Sequence, residues 1–351
     1  MNLDDHLQFQ LLDPENMLAQ LQGLPDQLEK AWELGLGLSL PQMNEISRVV
    51  IVGMGGSAIG ADLLAAYLLD RLEVPVLIHR DYGLPAFAHD RDTLVILTSH
   101  SGNTEETLSA FDEACKRHCQ LIAITTGGRL HKAMLEAGLP VWVFTHQGQP
   151  RDAVGYSFGL LLALFTRLGL ISDPSKDFKA ALVTLREAAN SLGGDVPVKN
   201  NPAKRMAGQM VGRVVTVFAS GFMAPVARRW KSQINEVAKA AANFEVLPEA
   251  DHNTVAGLYH PEDALSREIR VFLLANTDHV RNQKRVEGTR EVMMVEGLNT
   301  DMVTARGESR LSQMWSTLLF GDYTAYYLAM AYDVDPTPIP PIDALKEYMK
   351  D

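Results

Sequence analysis

Four β-branched residues in succession, Val49-Val50-Ile51-Val52, run straight into Gly53-Met54-Gly55-Gly56-Ser57, and no other feature restricts the fold as much. A strand that is apolar on both faces has to be covered on both, which is the condition of a parallel sheet between layers of helix. The segment after it, Ala58 to Leu72, carries Ile59, Leu63 and Ala66 at helical spacing. The alternation continues with strands expected at Val74 to His79, Thr93 to Thr98, Leu121 to Thr125 and Val141 to Phe144. Helices are expected between and after them, from about Thr104 to His118, Leu130 to Ala137 and Tyr156 to Leu168. Strands alternating with helices predict an α/β fold with a doubly wound parallel sheet.

The second half repeats this order. Val214 to Phe218 is an expected strand that ends in Ala219-Ser220-Gly221, followed by a helix through Trp230 to Ala242. A strand at Ile269 to Leu274, a charged helix at about His279 to Glu296, a strand near Met302 to Thr304 and a helix at Leu311 to Met330 complete it. Val49 to Gly56 matches Val214 to Gly221 in pattern, and Thr93 to His100 matches Val271 to Asp278, so the chain reads as a duplicated α/β unit. The expected organisation is N-terminal helices over 1–40, one domain over 41–170, a helical linker over 171–195, a second domain over 196–332 and a tail over 333–351. At 351 residues, each half is long enough to bury a core of its own.

A net charge of -11 argues against nonspecific nucleic-acid binding, since a phosphate backbone recruits basic surfaces. Cys115 and Cys119 lack the further ligands of a zinc site and form no disulfide framework, which fits a reducing compartment. Met1 to Leu12 is acidic and polar, unlike a signal peptide. The apolar runs Leu160 to Phe165 and Ala325 to Tyr332 are far too short to span a bilayer. A soluble cytoplasmic protein with no nucleic-acid or membrane partner is expected.

In an open parallel sheet, ligands bind beyond the carboxyl ends of the strands. Two turns at such ends suit an anion. Gly55-Gly56-Ser57 offers small residues whose N–H groups can approach a phosphate at a helix start. Ser99-His100-Ser101-Gly102-Asn103-Thr104 places three hydroxyls around one glycine, again before a helix. Each turn has another reading. Gly53 to Ala58 also fits the dinucleotide fingerprint Gly-x-Gly-x-x-Ala, with Asp81 after a second strand. Asn103 with Glu106 three residues on has the form of a capping box, and Glu105 and Glu106 repel a phosphate unless they point away. The counterpart in the second half, Ala275-Asn276-Thr277-Asp278, has neither glycine nor a serine pair, so one phosphate site is expected.

Gly53-Met54-Gly55-Gly56-Ser57, together with Ser99-x-Ser101-Gly102-Asn103-Thr104-Glu105-Glu106-Thr107, resembles the sugar isomerase (SIS) domain. Trp230 to Glu236, Pro248 to Asn253, Pro150-Arg151 and Ile342 to Lys346 resemble the bifunctional phosphoglucose/phosphomannose isomerases, from roughly residue 45 to the C-terminus. The resemblance implies two SIS domains and interconversion of glucose 6-phosphate or mannose 6-phosphate with fructose 6-phosphate. It implies phosphate ligands at Gly55, Gly56, Ser57, Ser99, Ser101 and Thr104. Glu236 becomes the proton-shuttling base, Arg151 the charge that steadies the intermediate, and His252 with Lys346 the groups that open the sugar ring. It also implies a homodimer whose active site lies at the subunit interface, with the histidine supplied by the partner. His100 departs from the Tyr common between the two serines, and Val237 stands where a second Asn is usual.

The chemistry is consistent with these residue types. An enediol route needs one carboxylate, a cation near the developing oxyanion and an acid/base pair for ring opening, with no metal and no redox cofactor. Taken singly, the residues have plainer explanations: Glu236 as a surface carboxylate paired with Lys239, Arg151 as half of a surface ion pair, and Lys346 on a solvated helix face. Two other functions fit parts of the pattern. A noncatalytic SIS regulator keeps the hydroxyl turns without needing Glu236, and a nicotinamide-dependent dehydrogenase uses Gly53 to Ala58.

Overall fold

The structure, a computed structural model, describes residues 2–349. Two compact units divide the described residues: Gly23–Leu182 forms the first-sheet unit, and residues 2–22 with 183–349 form the second-sheet unit. The N-terminal helices are thereby shared out. Helices α1 (His6–Leu12) and α2 (Met17–Gln22) belong to the second-sheet unit, and α3 (Leu24–Gly37) to the first-sheet unit. Helix α3 has Pro25 and Asp26 in its first turn, where a missing N–H and a negative charge are both favourable.

The first-sheet unit runs β1 (Arg48–Val52), α4 (Gly55–Leu68), β2 (Val76–His79), β3 (Thr93–Ser99), α5 (Glu105–Lys116), β4 (Gln120–Thr125), α6 (Gly128–Glu136), β5 (Val141–Val143) and α7 (Val154–Arg167). All five strands are parallel, in the order β2-β1-β3-β4-β5, with Ile51 opposite both Ile78 and Ile96. Val50, Val52, Val95, Leu97, Leu121 and Ala123 pack against Ala110 and Ala114 of α5 and Leu130 and Met134 of α6. Alternate residues such as Val49, Ile51, Ile96 and Ile122 are equally buried on the opposite face, the side of α4 and α7. Burial on both faces is why these strands are continuously apolar.

Helix α8 (Ser175–Leu192) occupies most of the expected linker and is divided between the units. The second-sheet unit continues with α9 (Pro202–Met210), β6 (Val214–Ser220), α10 (Ala224–Glu236), β7 (Ala242–Leu247), α11 (Glu262–Ser266), β8 (Glu268–Leu274), α12 (Val280–Val295), β9 (Thr300–Thr304), α13 (Arg310–Ala331) and α14 (Pro340–Tyr348). Its parallel order, β7-β6-β8-β9, is that of the first sheet without the fifth strand. The buried Arg229 guanidinium grips Asp322 through Nε (3.0 Å) and Nη2 (2.7 Å), fastening α10 to the buried helix α13.

One element differs from expectation. The helix read as running to Ala242 stops at Glu236, and Ala242–Leu247 is a strand. Lys239 turns the chain with φ +54°, and the Asn235 amide donates to the Ala240 carbonyl at 2.8 Å, which closes the helix end. As an edge strand, β7 lacks the two-sided burial that marks β1 and β3. Among the described residues, no helix is long and apolar enough to cross a membrane.

Candidate active site

The order β2-β1-β3 reverses the winding direction between β1 and β3, and ligands of such sheets bind beyond the strand ends at that crevice. Both anion-suited turns lie there. Helix α4 opens at Gly55 and α5 at Glu105, neither with a side-chain cap; the Ser57 amide donates to the Met54 carbonyl at 3.0 Å, which leaves the Gly55 and Gly56 amides and the first turn of α5 to face an anion. The turns are tied together: the His100 amide donates to Ser57 Oγ at 3.0 Å. Within the second turn, Ser99 Oγ and Thr104 Oγ1 are 2.8 Å apart, and Ser99 Oγ also accepts the Gly102 amide at 3.0 Å. Ser101 Oγ accepts the Asn103 amide at 3.2 Å and remains exposed. Gly102 has φ +64°, and a Cβ there would run into the Gly127 carbonyl, so only glycine fits.

Asn103 does not form the capping box. Its Oδ1 accepts the Arg129 amide at 3.1 Å and its Nδ2 donates to the Ser101 carbonyl at 3.1 Å, which braces the turn against α6. Glu105 accepts the Tyr82 phenol at 3.2 Å, so this carboxylate has a partner on another loop.

Arg151 sits on a 3-10 turn, Pro150–Ala153, and is buried with 4% of its surface exposed, which excludes the reading of a surface ion pair. Two contacts fix this turn. A Cβ on Gly56 would lie 2.5 Å from the Pro150 carbonyl oxygen and 3.0 Å from Arg151 Cα, so the turn rests on the glycine that opens α4. From α3, the Gln27 amide donates to the Asp152 carbonyl and accepts from the Gly155 amide, both at 2.8 Å. A second link was not foreseen from the sequence: His100 Nε2 lies 3.0 Å from His146 Nδ1, in the segment leading to Arg151. Burial holds the His100 imidazole below its ordinary pKa. Burial, and then the His100 ring, bring His146 down to about 4.

The second-sheet unit holds the other candidates. Glu236 is the last residue of α10 and half-buried. Lys239 Nζ donates to the backbone carbonyls of Glu236 (2.8 Å), Val237 (3.3 Å) and Pro336 (3.0 Å), so its role is to cap the helix end. Val237 is buried, which accounts for an apolar residue there. His252 is exposed at the end of a 3-10 turn, Glu249–His252, that follows β7. Its neighbour Asp251 anchors the turn to α12, accepting from Arg285 Nη1 and Thr289 Oγ1, each at 2.7 Å. Glu236 therefore precedes β7 and His252 follows it, at opposite ends of one sheet. Lys346 is exposed on α14, 3.8 Å from Asp343.

Residues 199–349 match the family described as the bacterial phospho-glucose isomerase C-terminal SIS domain, and residues 42–129 match the SIS domain family. A bifunctional phosphoglucose/phosphomannose isomerase of Caldicellulosiruptor bescii is 40% identical over 94% of this chain and 98% of its own. The chain belongs to the bifunctional phosphoglucose/phosphomannose isomerase family. Another relative bearing that name, from Aquifex aeolicus, is 34% identical over 86% of this chain and 90% of its own. The fold is also similar to that of a glucose-6-phosphate isomerase like protein of Thermus thermophilus, with TM-score 0.65 and 19% identity over 97% of this chain and 98% of that one.

The second sheet differs from the first at the turn where the sequence led to an expectation of one phosphate site rather than two. Gly221, with φ +52°, follows β6 as Gly55 follows β1. There the Asp278 carboxylate accepts Ser220 Oγ and the His279 amide, each at 2.7 Å. A Cβ on Gly221 would lie 2.5 Å from Asp278 Oδ1, so the carboxylate already fills the space beside that glycine.

Proposed function

We propose that the chain interconverts glucose 6-phosphate, mannose 6-phosphate or both with fructose 6-phosphate, through an enediol and as a homodimer in the cytoplasm. The observation that supports it best is the pair of hydroxyl-bearing turns at the β1/β3 crevice with buried Arg151 packed against Gly56. In this reading, Gly55, Gly56, Ser57, Ser99, Ser101 and Thr104 grip the phosphate with hydroxyls and amides, which suits an acidic protein. Glu236 removes the proton from C2 of the aldose and returns it to C1. Arg151 stabilises the oxyanion that forms between these steps. His252 and Lys346 open the ring by moving a proton between the ring oxygen and the anomeric hydroxyl.

The position of Glu236 and His252 on one chain supports a shared site. The six residues of β7 alone extend about 16 Å at about 3.3 Å per residue. That is several times the spacing of adjacent sugar carbons, so the histidine acting on a given sugar comes from a second copy. Helix α14 presents Ile342, Leu345 and Tyr348 exposed, with Met349 just beyond its end, an apolar surface that a second copy would cover.

The test is a coupled assay on glucose 6-phosphate and mannose 6-phosphate with Glu236→Gln beside the native chain. Loss of turnover with retained sugar-phosphate binding supports the isomerase reading. Binding without turnover in the native chain supports a noncatalytic regulator instead. Thermal stabilisation by NAD or NADP but not by fructose 6-phosphate favours a dehydrogenase.

A further inference from the structure

His100 and His146 form a pair that the isomerisation scheme does not use. With His100 Nε2 and His146 Nδ1 3.0 Å apart, one nitrogen carries a proton and the other does not. In one neutral arrangement His100 donates and His146 keeps its proton on Nε2. In the other His146 donates through Nδ1 and its Nε2 is a bare acceptor. His146 Nε2 is buried without a hydrogen-bond partner among the described residues, so either neutral form leaves it unsatisfied. One added proton, on His100 Nδ1 or on His146 Nε2, preserves the contact and converts it into a stronger imidazolium–imidazole hydrogen bond. A second would set N–H against N–H. The pair has room for a single proton.

Its surroundings leave that proton to be decided by a ligand. The rings pack with Phe144 (6.0 Å from His100) and Tyr156 (5.9 Å from His146), whose phenol burial keeps protonated. Ser57 Oγ meets the His100 amide, and Thr126 Oγ1 donates to its carbonyl at 2.6 Å. Among the described residues, no carboxylate or basic side chain contributes to either lowered pKa: burial is the first cause for both rings, followed for His146 by the neighbouring His100. Among the described residues, then, burial disfavours the charged state of both rings, and the pair is neutral around pH 7. Yet His100 stands between Ser99 and Ser101, with its N–H on Ser57, and His146 lies in the segment that delivers Arg151. Neither turn, Gly53 to Ala58 nor Ser99 to Thr104, contains a lysine or arginine.

We infer that the His100–His146 pair takes up one proton from solvent when a phosphate dianion occupies the turns, adding the positive charge that the turns themselves lack. This rests on the phosphate-site reading above and makes the two histidines part of that site. The test is calorimetric titration of the native full chain with sorbitol 6-phosphate, which has no carbonyl to isomerise. Two buffers of different ionisation enthalpy are used at about pH 7.5, where a phosphate ester with a second pKa of about 6 is mostly dianionic. The native chain is expected to take up between about half and one proton per ligand bound. His146→Phe and His100→Tyr are expected to bind several-fold more weakly and to take up none; either one suffices if the other does not fold. Tight binding by the native chain with no proton uptake, or the same uptake in a folded variant, overturns the inference and leaves the phosphate site standing. Failure of sorbitol 6-phosphate to bind the native chain overturns the phosphate-site reading itself.

Discussion

Replacing Gly56 by alanine tests the link between the first phosphate turn and Arg151, and its effect can be worked from distances. The new Cβ would lie 2.5 Å from the Pro150 carbonyl oxygen and 3.0 Å from Arg151 Cα. Ordinary contact is about 3.5 Å, so the Pro150–Arg151 backbone must retreat by about 1 Å. Both opposing atoms are backbone, and Gln27 holds the turn from behind through Asp152 and Gly155, so the retreat cannot be absorbed by one rotamer. Overpacking of this kind costs about 1–3 kcal/mol of stability, and a catalytic group displaced by about 1 Å loses roughly 100-fold in rate. Gly55→Ala is the control. Gly55 has φ +49° and nothing within 4 Å of its would-be Cβ, so alanine there strains the backbone without touching Arg151. Its methyl group enters the space assigned to the phosphate and should raise KM. A coupled assay from fructose 6-phosphate, following reduction of NADP, separates the two. Gly56→Ala should lower kcat by about 100-fold with a smaller change in KM. A Gly56→Ala enzyme that is folded, with native kcat and only a raised KM, refutes the placement of Arg151 in the transition state.

Three further outcomes are expected. Ser101→Ala should raise KM for sugar phosphates by about 10–100-fold with little change in kcat, because a hydrogen bond to phosphate is made in ground and transition states alike; a pure kcat defect contradicts the assignment. Mixing refolded Glu236→Gln and His252→Ala chains, each inactive alone, should restore about a quarter of native activity, since half the dimers are mixed and one of their two shared sites is intact; no recovery argues against histidine supplied in trans. Both His100 and His146 hold pKa values below 6.5, His146 down to about 4, so the unfolded chain binds more protons between those values and stability falls as pH drops from about 6.5 toward 4. Allowing for screening at half-exposed rings, urea melts should lose about 1–2 kcal/mol through His146 over that range, and His146→Phe should flatten the slope; an unchanged slope contradicts the neutral pair.

Much of the architecture was legible because burial on both faces writes itself into composition. Strands β1, β3 and β6 are predominantly apolar and almost wholly buried, and each was expected within a residue or two of its observed bounds. Strand β7 was not legible: Ala242–Leu247 mixes Asn243 and Glu245 with apolar residues at a sheet edge, and it follows directly on a helical pattern. The domain limits were hidden for a similar reason. Residues 2–22 and α3 look alike as amphipathic helices, and only tertiary packing assigns them to different units. At the site, the hydroxyl turns announced themselves through small residues at strand ends. The supports behind them did not. Gln27, His146 and Asp251 carry no local signal, since these partners lie at least 125, 46 and 34 positions away in sequence.

Under the proposed assignment, Asp278 accounts for a second sheet that keeps the strand order of the first without its phosphate site. The two sheets share strand order, and each has a positive-φ glycine after its first strand, Gly55 and Gly221, so the geometry that presents small residues and amides is retained in both. In the first, Ser99, Ser101 and Thr104 surround the turn with neutral donors, and under the proposed assignment an incoming dianion supplies the charge. In the second, the carboxylate of Asp278 takes up the hydroxyl of Ser220 and the amide of His279, the same kinds of donor that Ser57, Ser99 and Ser101 offer opposite. A second anion beside that carboxylate would meet like charge and find its donors engaged. One acidic side chain thus satisfies the donors of this turn from within the protein, and in the proposed scheme the second unit contributes Glu236 and His252 from elsewhere on its sheet.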